Sequence, residues 1–207
     1  MKNQDWLVME DGKFLPCKSA REWDLLTNEY RLYRFMTEVE DVMNEAEEKG
    51  TAEADFLPAL RRLVRKLVLN CYWVKTQYPE PCAKTGISIK MLYDELGLPM
   101  TVQTETILPG EKTPIHNHGT WGVVAILEGK QKNINWRRSP SPEYQDKIEQ
   151  VGEIILEAGD IISFTSDAIH AVEAVGEEPT ITFNLYGETQ GNKRFMFDPV
   201  KHQAKHF

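Results

Sequence analysis

The side chains best suited to chemistry in this 207-residue chain are three histidines. His116 and His118 stand two positions apart, and His170 follows after a stretch rich in β-branched residues. Residues two apart on a strand point to the same face and lie about 6 to 7 Å apart, so both imidazoles can reach one ion. Neutral imidazole is a common ligand of transition metals. The pattern predicts a metal centre, and its alternative is a pair of partly exposed strand histidines.

Glycines divide the segments around these histidines into short pieces. The first pair lies among Gly110, Gly122 and Gly129. Gly159 opens the second segment, where an apolar run at residues 160–164 leads through a polar turn to the third histidine. Such runs predict short strands joined by turns. A neighbouring strand can therefore bring the third imidazole to the same ion.

In these spacings the chain resembles the cupin family. The first cupin motif, G-x5-H-x-H-x3-E-x6-G, is matched at Gly110, His116, His118 and Gly129. The second, G-x5-P-x-G-x2-H-x3-N, is matched at Gly159 and His170, whereas its Pro, Gly and Asn are replaced by Thr165, Asp167 and Ala174. The resemblance covers about residues 86 to 198. It implies a mainly β fold, the cupin double-stranded β-helix or jelly roll.

The glutamate of the first motif is missing, because Gly122 occupies its position. A three-histidine site without a carboxylate resembles the thiol dioxygenases, the cysteine dioxygenase-like family. The resemblance implies Fe(II) as cofactor and a non-haem dioxygenase that oxidises a small thiol, of the cysteine or mercaptopropionate type, to its sulfinic acid. Three neutral imidazoles leave the charge of the metal uncompensated and positions open, which favours an anionic ligand such as a thiolate.

A tyrosine on the strand after His170 supports this resemblance. The family carries a Ser-x-His-x-Tyr triad there, and this chain has Thr182, Asn184 and Tyr186. The resemblance implies a catalytic role for Tyr186 and places Asn184 beside the substrate, although an amide cannot titrate near neutral pH. Alternation along a strand puts these three residues on one face, opposite an apolar face. The alternative for Tyr186 is an ordinary strand tyrosine.

Candidates for binding the substrate carboxylate are basic residues on strands. The family's early-strand arginine corresponds approximately to Lys90, which offers a point charge and not a planar fork. Arg137 and Arg138 are further candidates on the strand after Gly129. Trp121 is expected either to wall the pocket or to lie in the core.

Two other functions stay open at the level of the sequence. The first is a cupin metalloenzyme of another reaction type, such as another oxygenase, an isomerase or a lyase, with a different divalent metal. The second is a non-catalytic cupin that binds a small molecule and uses its helices to dock a partner.

The N-terminal part of the chain is expected to be helical. Apolar residues recur at helical spacing in residues 18–49, up to Gly50, and again in residues 53–77, where Arg61 and Arg65 fall on a basic face that we expect to point outward. The prolines after residue 77 end this pattern. The predicted organisation is an N-terminal helical region, residues 1–81, packed on a cupin β-barrel domain, residues 82–207.

Composition limits the partners and the compartment. A net charge of −8 argues against nucleic-acid and anionic-membrane partners. Three cysteines, Cys17, Cys71 and Cys82, form an odd number without metal-binding spacing, which fits a reducing compartment. No signal sequence or membrane span is apparent. We expect a cytoplasmic monomer or homodimer whose partners are a small thiol and dioxygen.

Overall fold

The computed structural model describes residues 4–18, 30–94 and 99–206. Its helices are α1 (Leu32–Lys49), α2 (Glu53–Asn70) and the single-turn α3 (Tyr72–Lys75). Its strands are β1 (Asp5–Val8), β2 (Phe14–Cys17), β3 (Ile87–Asp94), β4 (Met100–Ile107), β5 (Gly122–Glu128), β6 (Lys130–Arg138), β7 (Ile148–Glu157), β8 (Ile161–Phe164), β9 (Ile169–Val175), β10 (Thr180–Gly187), β11 (Phe195–Asp198) and β12 (Gln203–His206). A short 3-10 helix, Gly191–Lys193, precedes β11. The expected mainly β fold with an N-terminal helical hairpin is confirmed.

Two sheets surround a common interior. A seven-stranded sheet has the order β2-β1-β8-β5-β10-β4-β3, and a three-stranded sheet has the order β7-β6-β9. All the pairings in these sheets are antiparallel except that of β1 with β8. Side chains from both sheets line one cavity. The fold therefore places the inward faces of its strands around a single chamber.

The helical hairpin covers the outer face of the seven-stranded sheet. Gly50 ends α1 in the left-handed conformation, and its N–H donates to the carbonyls of Ala46 and Glu47, as expected for a glycine stop. Helix α2 buries four aliphatic side chains against outward residues of β5 and β10, namely Leu57, Leu60, Val64 and Leu67 against Val123, Ala125, Phe183 and Leu185. The start of the predicted first helix falls partly in residues 19–29, which lie outside the described residues.

The expectation that Arg61 and Arg65 point outward is wrong. Both guanidinium groups are buried between α2 and the sheet. Arg61 donates to the Ser163 hydroxyl at 2.7 Å, and Arg65 donates to the Gly159 carbonyl at 2.9 Å and forms an ion pair with Asp5. These acceptors lie on elements distant in sequence, so helical periodicity alone could not reveal them. The two arginines help to fix the hairpin on the sheet.

The region expected to be helical also contains two strands. β1 pairs with β8 inside the main sheet, and β2 forms its edge. The run predicted for residues 53–77 ends at Asn70 and continues only as the single turn α3. None of the helices in the described ranges is long and apolar enough to cross a membrane.

Candidate metal centre

His116 and His170 face each other across a pair of backbone hydrogen bonds. The N–H of each residue donates to the carbonyl of the other at 2.9 Å. Residues directly opposed in an antiparallel pair have side chains on the same face. The two imidazole centroids consequently lie 4.8 Å apart. Backbone pairing thus brings the histidines of the two sequence motifs next to each other.

His118 completes the group from the same segment as His116. Its Nε2 lies 2.9 Å from the Nε2 of His170, and its ring centroid lies 4.7 Å from that of His116. One ring nitrogen from each histidine belongs to a set whose members all lie within 4.8 Å of one another. The structure therefore brings together the three histidines that the sequence singled out.

Hydrogen bonding and burial keep these imidazoles in the form that binds metals. The Nδ1 of His116 lies 2.8 Å from the Pro114 carbonyl, which can only accept, so Nδ1 carries the hydrogen and Nε2 carries the lone pair. Burial lowers the pKa of His116 to about 4, although the Pro114 hydrogen bond opposes this. Burial also holds the pKa values of His118 and His170 well below the usual range. All three are neutral at physiological pH.

The donor set fits a divalent transition metal. Two nitrogens that bind one ion at about 2.1 Å and at right angles lie about 3.0 Å apart. The observed separation between His118 and His170 is 2.9 Å. The described residues contribute no carboxylate to this group. Three neutral nitrogens would hold such an ion and would contribute no negative charge to it.

Gly122 makes room for Tyr186. The two residues are directly paired between β5 and β10, and a Cβ at position 122 would lie 2.8 Å from two carbons of the tyrosine ring. The ring stacks on His118 with centroids 4.6 Å apart and an interplanar angle of 25°. Burial, and then the charge of Glu105, raise the pKa of Tyr186. Gly122, which stands where the motif has glutamate, thus leaves space for a protonated phenol beside the histidines.

The histidines and Tyr186 open into a cavity of about 940 Å³. Phe164 covers one side of the group, with its ring centroid 4.2 Å from that of His170. The polar side chains that line the cavity include Gln103, Glu105, Gln131, Asn133 and Asn184 from the two sheets and Arg194 from the segment before β11. A chamber of this size accommodates a small organic molecule beside the histidines.

Asn184 lies in the cavity lining, on the same face of β10 as Tyr186. Its amide forms a hydrogen bond with Glu105. Burial raises the pKa of Glu105 to about 7, and the hydrogen bond from Asn184 opposes this rise in part. Asn184 therefore interacts with a carboxylate whose pKa burial raises to about 7.

Lys90 does not line the cavity, contrary to the prediction. On β3 the cavity is lined by Ile89 and Met91, so alternation turns the side chain between them to the other face. Lys90 is exposed there and donates to the Gln77 side chain at 2.9 Å. It is therefore not positioned to bind a substrate at the histidines.

Arg137 and Arg138 are likewise outside the cavity. β6 turns inward at Gln131 and Asn133, but its register shifts before Trp136, which breaks the alternation. Arg137 is exposed and forms an ion pair with Glu149. Arg138 lies 3.6 Å from Asp146, over the rings of Phe195 and Phe197. Local pairing with acidic neighbours holds both arginines at the surface.

Trp121 belongs to the core and is not a wall of the cavity. It is buried, and its ring packs edge-on against Phe56 of α2 with centroids 5.9 Å apart. Its neighbour Gly122 begins β5, so the tryptophan side chain is directed to the face that the hairpin covers. Of the two expectations for this residue, the core position is the one observed.

Arg194 is a cavity residue that sequence reasoning missed, as it also missed Glu105 and Asn133. Among the described residues of the lining it is the only arginine or lysine. Its positive charge interacts electrostatically with His116, His118 and Tyr186. Guanidinium stays positive at neutral pH. The cavity therefore offers a cation close to the three histidines.

Asn117 holds the segment that carries Arg194. Its amide group donates to the Lys193 carbonyl at 2.8 Å and accepts from the Phe195 N–H at 2.7 Å, while its backbone N–H donates to the Phe195 carbonyl. The residue between the two motif histidines thus fixes both neighbours of Arg194. Sequence spacing gives no sign of this contact, because it depends on β11 pairing beside residue 116.

Comparisons with known proteins concern the fold alone. No protein-family model matches the chain, and no curated protein matches it. Similar solved structures include oxalate oxidase in complex with the substrate analogue glycolate (12% identity, 56% of this chain, 57% of that chain, TM-score 0.42). Others are a protein with a double-stranded β-helix domain from Klebsiella pneumoniae (15%, 56%, 83%, 0.44) and a cupin-like protein from Thermotoga maritima (16%, 58%, 75%, 0.39). This chain spans little more than half the length of the oxalate oxidase.

Proposed function

We propose that this protein is a non-haem iron dioxygenase that oxidises a small thiol to its sulfinic acid. The observation that carries this proposal is the three-histidine group without a carboxylate, in which Gly122 gives its space to Tyr186. When Fe(II) is bound there, it supplies open coordination positions at which a thiolate and dioxygen can meet. The overall reaction, RSH + O2 → RSO2H, places both oxygen atoms on sulfur and needs no further reductant.

Close to the histidines, the charges of the site favour an anionic group. His116, His118 and His170 are neutral and contribute no negative charge. Arg194 adds a guanidinium to the same cavity, and this group can bind a carboxylate through two parallel hydrogen bonds. A thiol that also carries a carboxylate, as cysteine and mercaptopropionate do, satisfies both features.

Tyr186 is the candidate catalytic side chain. Its raised pKa keeps the phenol protonated at neutral pH, so that it can donate a hydrogen bond to a group bound beside His118. The stack on His118 limits how far the ring can turn. A positioned acid of this kind contributes about two to four powers of ten to a rate.

The proposal is tested by loading the purified protein with Fe(II) under anaerobic conditions and adding dioxygen with cysteine, mercaptopropionate, cysteamine or a longer amino thiol. We expect oxygen consumption and sulfinate formation in equal amounts with at least one thiol. No oxygen consumption with any of them overturns the proposal. Turnover of another substrate without oxygen would instead identify a different metal-assisted reaction.

A variant without one histidine provides the matching control. His170→Ala should lose stoichiometric iron and all oxygen uptake while keeping the circular dichroism spectrum of the native fold. His202→Asn should keep both, because His202 lies outside the cavity lining and asparagine tolerates its φ of 52°. Full iron content in His170→Ala would remove that residue from the centre.

A further inference from the structure

Three polar side chains form a second group in the cavity, which we call the amide layer: Glu105, Asn133 and Asn184. Asn184 lies two residues from Tyr186 on β10, and Asn133 lies two residues from the position on β6 that pairs with His170. Two residues along a strand span about 7 Å. Asn184 and Asn133 therefore lie one step along the strands from Tyr186 and from the level of His170, and Glu105, which pairs with Thr182, lies one step further along.

Hydrogen bonds fix the orientation of both amides in this layer. The Asn184 amide interacts with the Glu105 carboxylate, which accepts, so Asn184 donates through Nδ2. The Nδ2 of Asn133 donates to the Gln131 side-chain oxygen at 3.0 Å. In both residues Oδ1 is the side-chain atom that can accept a further hydrogen bond.

These two amide oxygens are buried acceptors without a donor. Asn133 is 0% exposed and Asn184 is 1% exposed. Neither Oδ1 has a hydrogen-bond partner within the described part of the chain. Buried polar groups are nearly always hydrogen-bonded, since leaving one unpaired is destabilising. An arrangement of this kind in a cavity lining indicates a ligand that brings donors.

The chemistry of the layer selects the kind of donor. Glu105 adds carboxylate oxygens to the two amide oxygens, so that the layer presents acceptors and a negative charge. A primary ammonium has three N–H donors and a positive charge. It can donate to Glu105 and Asn184, which interact with each other, and it offsets the burial that disfavours the charged form of Glu105. Neutral hydroxyl groups lack both the charge and the number of donors.

We propose that the amide layer binds the primary ammonium group of the substrate, which is therefore an amino thiol with its amine several carbons from its sulfur. The thiol end lies at the histidines, and the ammonium lies between Asn184, one strand step away, and Glu105, one step further along. Only the identity of the thiol end rests on the proposed function. The size of the cavity, about 940 Å³, allows a molecule of this length.

The test compares aminopentanethiol with hydroxypentanethiol, which differ in the terminal group only. Isothermal titration calorimetry on the full chain is carried out without oxygen, both with Fe(II) and without metal. We expect the amine to bind about tenfold to a hundredfold more tightly than the alcohol, as for a lost set of charge-assisted hydrogen bonds. Equal affinities, or no binding of either thiol, overturn the proposal.

Two isosteric variants show where the preference arises. Glu105→Gln should bring the two affinities to within about threefold, because it removes the charge and keeps the shape. Glu188→Gln removes an exposed carboxylate that also lines the cavity and should leave the preference intact. An equal loss in both variants would mean general electrostatic attraction and would overturn the amide layer as the site.

The same measurements separate this inference from the proposed function. Binding is read by heat and does not require turnover. A protein that prefers the amine but consumes no oxygen contradicts the dioxygenase proposal and supports the ammonium site. A protein that oxidises thiols with no preference for the amine does the reverse.

Discussion

At the scale of single residues, the site depends on the missing side chain at Gly122 and on the tautomer of His116. Gly122 has no side chain, and this absence lets the Tyr186 ring stack on His118. His116 holds its hydrogen on Nδ1 through the Pro114 carbonyl, which leaves Nε2 as its ligand atom. A carboxylate at position 122 would add a negative charge to the centre and displace the tyrosine. The absence of a carboxylate at position 122 is therefore what allows the Tyr186 phenol to occupy its place beside His118.

Tyr186→Phe tests the hydroxyl without changing the stack on His118. We expect full iron content and a fall in the rate of thiol-dependent oxygen uptake of about a hundredfold or more, because a positioned proton donor is lost. Metal analysis and initial rates on the same preparation give both quantities. An unchanged rate would limit Tyr186 to packing.

Gly122→Ala tests the space beside the ring. The added Cβ would lie 2.8 Å from two ring carbons, so the tyrosine must move away from His118. We expect iron to be retained while the rate falls toward that of Tyr186→Phe. The double variant should then be no slower than the slower single variant, since the two changes act through the same hydroxyl. Independent, multiplying losses would show that Gly122 acts in another way.

At the scale of elements, the site is assembled by pairings between distant segments. The segment containing His116 lies between β9 and β11 and is bonded to both. The pairing with β9 delivers His170, and the pairing with β11 brings the turn before it, with Arg194, over the cavity. Helix α2 supports this assembly from the outer face through Arg61 and Arg65.

Sequence reasoning succeeded at this scale where the pattern is local. The spacing of His116 and His118, the polar face of β10 and the glycine stop at residue 50 all depend on neighbours in sequence, and the structure places them as expected. The wrong expectations concern basic side chains. Lys90, Arg137 and Arg138 lie outside the cavity because of strand alternation and the register shift in β6. Arg61 and Arg65 are buried by contacts with segments distant in sequence. Arg194 was missed because only tertiary pairing returns it to the histidines.

Asn117→Ala tests the contact that holds the Arg194 segment. Two side-chain hydrogen bonds, to the Lys193 carbonyl and from the Phe195 N–H, are removed. We expect the KM for a carboxylate-bearing thiol to rise about tenfold or more while that for cysteamine, which has no carboxylate, changes little. Iron content should stay full, because none of the three histidines is altered. Equal increases for both thiols would indicate general loosening of the site.

At the scale of the whole molecule, the chamber carries a cost in stability. The interior of the barrel holds a carboxylate, several amides and three imidazoles where a purely structural domain would hold apolar side chains. Burial raises the pKa of Glu105 and lowers the pKa values of the histidines. Each shift makes the folded state less favourable in one range of pH. Such groups are expected where a fold serves a ligand and not only its own packing.

Glu105→Gln should change the pH dependence of unfolding, because it removes a carboxyl group whose charged form burial disfavours. The pKa of Glu105 rises on folding from an ordinary value of 4.5 to about 7, so the folded state binds more protons than the unfolded state between these values. Stability contributed by this group therefore falls as pH rises from 4.5 to 7, and the loss stays constant above 7. At about 1.4 kcal/mol per pKa unit, the loss reaches about 3.5 kcal/mol.

The histidines act in the opposite direction, so the test uses the difference between two proteins. Their lowered pKa values destabilise the folded state as pH falls below the ordinary range of imidazole, in the wild type and the variant alike. Urea unfolding of the metal-free proteins should show the variant more stable above pH 7 and the gap closing toward pH 4.5. Glu188→Gln, at an exposed carboxylate, should show no such trend. A gap that does not depend on pH would mean that Glu105 ionises in the folded barrel as readily as in the unfolded chain.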